Sequence, residues 1–321
     1  MVNAKLISAS FALVVLVLYL LGWWASREPA LLADDTQPTV QQHVVGYSTT
    51  TALIRVAKTL LDKNAGYVAN DVMPPFVLLD NMPAWELGAL EMTRDLALAL
   101  RKDLSRSQSQ STENPYLKVA QPKFNIDHRS WAIPSAEAEY RQAIAQLYLY
   151  RAELLDPQRP DSQFYARADN LRDWLKAVEK RLGSYSQRLS ASVGQERLNT
   201  DLAGETSARQ STATPGQRLI KTSWWKLDDE FYEARGASWA LLHFLTAVET
   251  DFADVLQRKN AMVSLQQIIR ELEATQQPVW SPMVLNGSGF GLMANHSLVM
   301  ANYISRANAA LIDLSELLTQ G

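Results

Sequence analysis

The longest uninterrupted apolar stretch of the chain runs from Leu6 to Trp24 and reads LISASFALVVLVLYLLGWW, without a charged residue. As a helix, these 19 residues would be about 28 Å long, which is close to the ~30 Å hydrocarbon core of a bilayer. The pattern predicts one transmembrane helix over residues 6–24. A tether over residues 25–48 follows, where Pro29 and Pro38 argue against a continuous helix.

The end of the apolar run distinguishes an anchor from a signal peptide. A secretory signal has an apolar stretch of about 7–15 residues and a small-x-small cleavage motif. The run in this chain is longer, ends in Trp23 and Trp24, and is followed by no good motif of that kind. Tryptophan is typical of the membrane–water boundary. We expect an uncleaved single-pass anchor, and a removed signal peptide is the alternative.

The charges that flank the run predict the topology. Lys5 and the α-amine precede the run, whereas Arg27 is followed at once by Glu28. Because basic residues favour the cytoplasmic side, residues 1–5 are expected to form a cytoplasmic stub. The large domain then lies in the bacterial periplasm, attached to the inner membrane, and the lipid bilayer is a partner through residues 6–24.

Beyond residue 48 the apolar positions recur mostly at three- and four-residue steps, which indicates amphipathic helices. We predict a mostly α fold, namely an irregular multi-helix bundle of about six or seven helices over residues 49–321. The halves 49–189 and 219–321 are expected to share one core. The helical segments are 49–69, 83–104, 135–154, 164–189, 228–255, 261–275, and a last helix with Met300, Ile304, Ala307, Leu311, Leu314 and Leu318 on one face.

One segment has a clear heptad pattern. Its apolar residues step by 7, 4, 3, 4, 3 and 4 positions, at Phe164, Leu171, Leu175, Val178, Leu182, Tyr185 and Leu189. Such a seam is typical of helices that pack side by side. With the helix before it, across a short turn at 156–161, it predicts an antiparallel helical hairpin. Gly183 should weaken this helix by about 1 kcal/mol relative to alanine.

Three segments lack a clear period. Residues 105–112 read as a Ser/Gln linker. Residues 116–133 are compatible with short strands or with an ordered loop. Residues 190–218 are small and polar, which predicts a mobile insertion with a short helix near Leu198. After the insertion, Asp228 or Asp229 is expected to cap the next helix.

Composition narrows the function classes. The chain has 31 basic and 34 acidic residues and no run of lysine and arginine, which argues against nucleic-acid binding. It has no cysteine and only four histidines, none of them at the spacing of a zinc site. We therefore expect no metal and no cofactor. The absence of cysteine also excludes lipoprotein processing.

Three carboxylates on one predicted helix are the catalytic candidates. Glycan cleavage needs a carboxylic acid with a raised pKa and usually a second carboxylate beside it. Glu86 follows Trp85 near the start of the helix, and Glu91 and Asp95 share one of its faces. The alternative is structural, because such residues commonly complement the helix dipole or form a solvated face.

Two further features are candidates for binding. The first is the loop around NGSGFG, which contains Trp280, Gly287, Gly289, Phe290 and Gly291. It lacks the Walker A and nucleophile-elbow patterns, so it is either a tight connection or a contact surface for a partner.

The second binding candidate is the pair Trp224–Trp225, which Lys221 and Lys226 flank. Core packing is the main expectation for this pair. A binding platform or contact with the membrane surface is the alternative.

The sequences TALIRVAKTLLDKNAGYVANDVMPPFVLLDNMPAWELGALEMTRD (51–95), WAIPSAEAEYRQA (131–143) and SWWKLDDEFYEARGASWALLHFL (223–245) resemble an uncharacterised family of Gram-negative bacteria. Its members are single-anchor envelope proteins that carry a domain of unknown function. The resemblance covers most of the chain beyond the anchor. It implies an envelope location and supplies no activity, cofactor or catalytic residue.

These observations favour a non-enzymatic, membrane-anchored envelope protein that binds or scaffolds another envelope protein, or associates with itself. One alternative is a cell-wall glycan hydrolase that uses Glu86, or Glu91 with Asp95. Another is a small-ligand or lipid-binding module with its pocket between loops 72–83 and 278–291. The sequence does not identify the partner or the oligomeric state.

Overall fold

Helices dominate the computed structural model, which describes residues 4–33, 44–107, 112–156, 158, 162–198, 217–281, 283–288 and 291–320. This confirms the mostly α prediction. An apolar N-terminal helix precedes nine further α-helices among the described residues, which exceeds the six or seven expected. The α-helices are α1 (Ala4–Ala25), α2 (Tyr47–Asp62), α3 (Asn81–Ala99), α4 (Pro115–Phe124), α5 (Ala136–Leu154), α6 (Ala168–Ser190), α7 (Leu227–Asp251), α8 (Ala253–Arg258), α9 (Met262–Thr275) and α10 (His296–Thr319).

Short elements complete the chain between these helices. A π-helical turn, Leu100–Leu104, extends α3, and 3₁₀ turns cover Phe76–Leu78, Ala191–Val193 and Trp224–Lys226. Two strands, β1 (Gln195–Leu198) and β2 (Gln217–Ile220), pair antiparallel with Gln195 opposite Ile220 and Leu198 opposite Gln217. Leu198 therefore lies in a strand and not in the short helix that was predicted near it. Residues 199–216, the rest of the predicted mobile insertion, lie outside the described residues, as do 108–111 of the predicted linker.

Helices α3 and α7 form the central pair of the body, and their backbones touch. A Cβ atom added at Gly88 of α3 would lie 1.9 Å from the Glu233 carbonyl oxygen of α7. A Cβ added at Gly236 would lie 2.0 Å from the Trp85 carbonyl oxygen. Only glycine permits this approach. The contact buries Trp85 against Trp239, with ring centroids 5.1 Å apart.

The heptad helix α6 packs chiefly against α10, and α5 packs against α4 and α2. The predicted α5–α6 hairpin is therefore wrong, because the two helices share hardly any contacts. The apolar faces themselves are confirmed. Every heptad position from Leu171 to Leu189 is buried, and so is the predicted face of α10. Periodicity predicted which face is buried but not which helix covers it.

A single hydrophobic core runs from Leu53 in α2 to Leu318 in α10. It contains residues from α3, α6, α7 and α9 together, so both halves of the body contribute to one core, as expected. Gly46, which has a φ of 89°, precedes α2 and supplies no side-chain cap. Asp251, at the end of α7, accepts a hydrogen bond from the Thr49 amide at 2.6 Å and takes over that role.

Two helix starts differ from the sequence prediction. Helix α4 occupies part of the segment expected to be strand or loop, and the Asn114 side chain caps it through the amides of Tyr116 and Leu117. Pro122 lies inside this helix and obscured its period. Helix α7 begins at Leu227 because the preceding 3₁₀ turn leads directly into it, so neither Asp228 nor Asp229 is the cap.

Candidate functional site

Helix α1 combines an exposed apolar surface with a close contact to the body at its end. The most apolar stretch within residues 5–25 has a mean hydropathy of 2.3, and only 6% of it is buried. Helix α1 is therefore long enough and apolar enough to cross a membrane. At its C-terminal end, Gly22 and Ala25 are buried. The body therefore begins where the helix ends.

Residues 26–33 follow α1 and lie along α7. Together with the last turn of α1, they form a segment of residues 22–33 that contacts the body. We call this segment and the body residues that it contacts the junction. The Ala30 carbonyl accepts from Trp239 Nε1 at 3.3 Å, and the Leu32 amide donates to His243 Nε2 at 3.4 Å. The Ala33 carbonyl accepts from Arg55 of α2 at 2.8 Å. The part of the predicted tether before residue 34 is thus bonded to the body over its length.

Arg235 ties three parts of the molecule together at the junction. Its Nε donates to both carboxylate oxygens of Glu28, at 2.9 and 2.7 Å. The other guanidinium nitrogens donate to the carbonyls of Thr275, Gln276 and Gln277, at the end of α9. The arginine side chain is only 7% exposed. A cation suits carbonyls at a helix C-terminus, so one buried side chain joins the segment that follows α1 to both α7 and α9.

His243 is a neutral acceptor in the junction. Its ring packs edge-on against Trp239, with centroids 4.7 Å apart. Burial, with a smaller effect of Arg55, lowers the pKa of His243 to about 4. Because the Leu32 amide needs an acceptor, the hydrogen bond requires the unprotonated nitrogen. Nothing in the sequence around His243 indicates this partner, which lies 211 residues away in the chain.

The catalytic candidate Glu86 is fully buried, with 0% of its surface exposed. Its carboxylate accepts from the amides of Val68 and Ala69, at 2.9 and 2.7 Å, and pairs with Lys63 Nζ at 2.5 Å. Burial raises the pKa of Glu86, whereas Lys63 and the two amides lower it. The arrangement fixes the loop between α2 and α3 and leaves no face of the carboxylate open to a substrate.

The other two carboxylate candidates bind an arginine of α6. Arg181 donates to Asp95 through Nε at 2.8 Å and to Glu91 at 2.8 Å. The hydroxyl of Tyr185 donates to Glu91 at 3.0 Å. Both carboxylates border an open groove of about 840 Å³. They hold α6 against α3, and the structure does not bring them together with Glu86.

The loop before α10 is organised around His296. The Leu285 amide donates to His296 Nδ1 and the His296 amide donates back to the Leu285 carbonyl, both at 2.9 Å. Gly287 packs tightly against Met293, and the amide of Gly291 donates to the Ser288 carbonyl at 2.9 Å. The candidates Gly289 and Phe290 lie outside the described residues.

Trp280 forms the exposed edge of a groove of about 310 Å³ between α7, the end of α9 and α10. The indole is 95% exposed. Apolar groups from Phe231, Val279 and Met300 line the groove, and Arg235 lines it as well. The loop at residues 76–84 lines a different pocket, beside Lys226 and Glu230. The ligand alternative placed loops 72–83 and 278–291 around one pocket, whereas these described parts line separate ones.

The tryptophan pair is on the surface. Trp224 and Trp225 form a 3₁₀ turn before α7, and Trp225 is 85% exposed. The expectation that they pack in the core is therefore wrong, because the turn projects both rings away from the apolar face that α7 buries.

Sequence reasoning missed Arg235, Glu28 and Lys63. A usable signal existed for Arg235, which interrupts the apolar stretch of α7 in EARGASWALLHF. A charged residue on a buried face is rare unless it is paired. No local signal marked Glu28 or Lys63, because their partners are distant in the chain. Glu28 bonds across 207 residues to Arg235.

Comparisons with known proteins identify a family for the chain but no individual relative. No curated protein and no solved structure matches it. The sequence profile of a bacterial family described as "uncharacterized protein conserved in bacteria" (DUF2333) matches residues 2–321. That match spans the apolar helix, the junction and the whole body. The chain belongs to the DUF2333 family of bacterial proteins.

Proposed function

We propose that this chain is a single-pass inner-membrane protein with a cytoplasmic N-terminus and a periplasmic body, and that it binds another envelope protein without catalysing a reaction. The observation that carries the proposal is the junction. Residues 26–33 are bonded to Arg235, Trp239, His243 and Arg55, so the body is held beside a membrane-length helix without slack. An anchor fixed in this way supports a role at the membrane surface.

The groove beside Trp280 is the best candidate for the partner site. Binding hot spots are commonly tryptophan, tyrosine and arginine that surround an apolar pocket. Here Trp280 borders the groove, and Arg235 lines it together with Tyr303 and Met300 of α10. Its volume of about 310 Å³ is enough for one or two apolar side chains of a partner. Its place next to the junction keeps it near the membrane.

The hydrolase alternative has weaker support. A general acid has to reach the glycosidic oxygen, and Glu86 is enclosed by Lys63 and two backbone amides. Glu91 and Asp95 are engaged with Arg181. The small-ligand alternative keeps one favourable observation, because the Trp280 groove has the volume of a small ligand site.

Site-specific photo-crosslinking tests the partner proposal. A photoreactive phenylalanine analogue at Trp280, in the full-length protein in its native membrane, should give one discrete adduct that contains an envelope protein. The control is the same analogue at Val263, which is 74% exposed at the start of α9 and should give none. An adduct containing only this chain would indicate self-association. A small molecule that co-purifies and blocks crosslinking at position 280 would favour the ligand alternative.

Cysteine labelling tests the topology. Since the chain has no cysteine, Val263→Cys supplies a single thiol in the body and Val2→Cys a single thiol before the apolar run. A membrane-impermeant maleimide added from the periplasmic side should label only position 263. Labelling of position 2 alone would reverse the topology. Labelling of a soluble periplasmic form that lacks residue 2 would indicate a cleaved signal peptide.

A further inference from the structure

Residues 72–79 form an apolar surface loop without charge, which we call the interfacial loop. Its sequence is VMPPFVLL, and Asp71 and Asp80 bound it. Val72, Met73, Val77 and Leu78 are all exposed, and Leu78 reaches 76%. Exposed apolar side chains in such a cluster mark a surface that contacts something other than water.

The loop lies against the end of α1. A Cβ atom added at Gly22 would lie 3.7 Å from Pro75 Cβ and 3.8 Å from Leu79 Cδ2, so the loop packs close to the helix at this buried glycine. Gly22 is about 24 Å along the helix from Leu6, at 1.5 Å per residue. The hydrocarbon core of a bilayer is ~30 Å thick. A loop in contact with Gly22 is therefore level with the membrane boundary.

The tryptophan pair extends the same surface. Lys226, which ends the 3₁₀ turn of Trp224 and Trp225, lines one pocket together with Val77 and Asp80 of the loop region. Both indoles are exposed. Tryptophan favours the headgroup level of a membrane, where a neighbouring lysine can reach lipid phosphates.

We infer that the interfacial loop and Trp224–Trp225 form a lipid-contacting surface that seats the body on the bilayer spanned by α1. The inference rests on the proposed function, since it needs α1 to cross that bilayer. The occupant is lipid because the surface adjoins the helix that lipid itself surrounds. Three contacts, from α1, the loop and the tryptophans, would hold the body in one orientation and keep the Trp280 groove at a constant height.

Depth-dependent quenching in the full-length protein tests this surface. The single-thiol variant Leu78→Cys is labelled with the fluorophore NBD and reconstituted into phosphatidylethanolamine–phosphatidylglycerol vesicles. Quenching by doxyl groups on lipid acyl chains reports lipid contact, and quenching by iodide reports water. We expect the label at position 78 to be quenched strongly by doxyl lipid and weakly by iodide.

Val263→Cys is the matched control, because its exposure of 74% equals that of Leu78 within 2%. Helix α9 runs antiparallel to α7, since Gln266 bonds Glu249 near one end and Thr275 bonds Arg235 near the other. Position 263 is therefore about 30 Å from the start of α7 at 1.5 Å per residue. A label there should respond to iodide only.

A third label, at Val15→Cys in the middle of α1, separates two kinds of failure. If positions 15 and 78 are quenched by doxyl lipid and 263 is not, the inference holds. If only 15 is quenched, the anchor stands and the lipid-contacting surface is overturned. If 15 is not quenched, the anchor of the proposed function fails, and this inference fails with it. Protection of position 78 from both quenchers would identify a protein as the occupant and would also overturn it.

Discussion

The contribution of an individual residue to stability depends on its surroundings, and three helical glycines illustrate this. Gly88 and Gly236 lie where two helix backbones meet, whereas a Cβ added at Gly183 of α6 would make only an ordinary side-chain contact. All three are helical glycines with the same intrinsic cost, about 1 kcal/mol relative to alanine. At Gly88 and Gly236 this cost is offset, because the absence of a side chain permits the close α3–α7 contact.

Gly88→Ala should lower the free energy of unfolding by about 2 kcal/mol or more, because its Cβ would overlap the Glu233 carbonyl oxygen and force the helices apart. Gly183→Ala, whose Cβ would lie 3.7 Å from Asn308 Nδ2, should raise stability by up to about 1 kcal/mol. Urea denaturation of the full-length protein in detergent measures both. Equal effects of the two substitutions would contradict the close helix contact.

Glu86→Gln should cost about 3–5 kcal/mol, because it leaves Lys63 buried without a counter-charge. The double variant Lys63→Met/Glu86→Gln should recover part of the loss, since no unpaired charge remains. The same denaturation experiment measures both variants. Asp62→Asn, in an exposed pair with Lys58 at 3.7 Å, is the control and should cost less than about 1 kcal/mol. If Glu86→Gln were as stable as the wild type, the structural role assigned to Glu86 would be wrong.

At the scale of elements, the connections between helices are made by polar groups that lie far apart in sequence. Asp251 of α7 caps α2, Arg235 of α7 caps α9, and Arg181 of α6 binds Asp95 of α3. The extended segment 26–33 is held in the same way along α7. Its attachment includes one group, His243, that titrates in an accessible range.

Stability of the junction should fall with acidification. The pKa of His243 is lowered to about 4 in the folded protein, against an ordinary value of about 6.5. The unprotonated ring therefore stabilises the fold fully above about pH 6.5, and this contribution is lost as the pH falls from 6.5 toward 4.

His243→Gln provides the comparison, because its amide oxygen accepts from Leu32 and does not titrate. Denaturation midpoints at pH 7.5 and pH 4.5 should differ more for the wild type than for His243→Gln. Identical differences would show that His243 protonation does not control the junction.

At the scale of the whole molecule, helix α1 and the body are joined by specific contacts rather than by a flexible linker. Glu28, only three residues beyond α1, pairs with the buried Arg235 that also holds α9. Orientation of the body relative to α1 thus depends on the same contacts that stabilise the body. This coupling is the property that the proposed function uses.

Glu28→Gln should loosen the junction while the body stays folded, because Arg235 keeps its three carbonyl acceptors and loses its charged partner. Loss of such a charged hydrogen bond costs about 1–3 kcal/mol. Limited proteolysis of the membrane-reconstituted protein should release the body several-fold faster than in the wild type. Arg27→Gln, at the exposed neighbouring position, should leave the rate unchanged. Equal rates for both variants would indicate that Glu28 does not hold the segment after α1 against the body.

The sequence alone determined the membrane-length helix, the α class, and the buried faces of α6 and α10. Each depends on local composition or on a period of three to four residues, and such patterns can be recognised without knowing which segments pack together. The same local information predicted a helix that begins at residue 135, and in the structure the Ser135 side chain caps α5 by accepting a hydrogen bond from the Ala138 amide.

Only the tertiary structure decided which helices pair, and which charged residues are structural. The α5–α6 hairpin was inferred from adjacency, yet α6 packs on α10, because heptad faces are complementary to many partners. Glu86 and Trp225 show that a residue's type does not predict its burial. The Glu86 carboxylate is buried in a pair with Lys63, whereas the Trp225 indole is exposed at a turn. Burial depends on contacts between distant segments, and a local pattern does not encode those contacts.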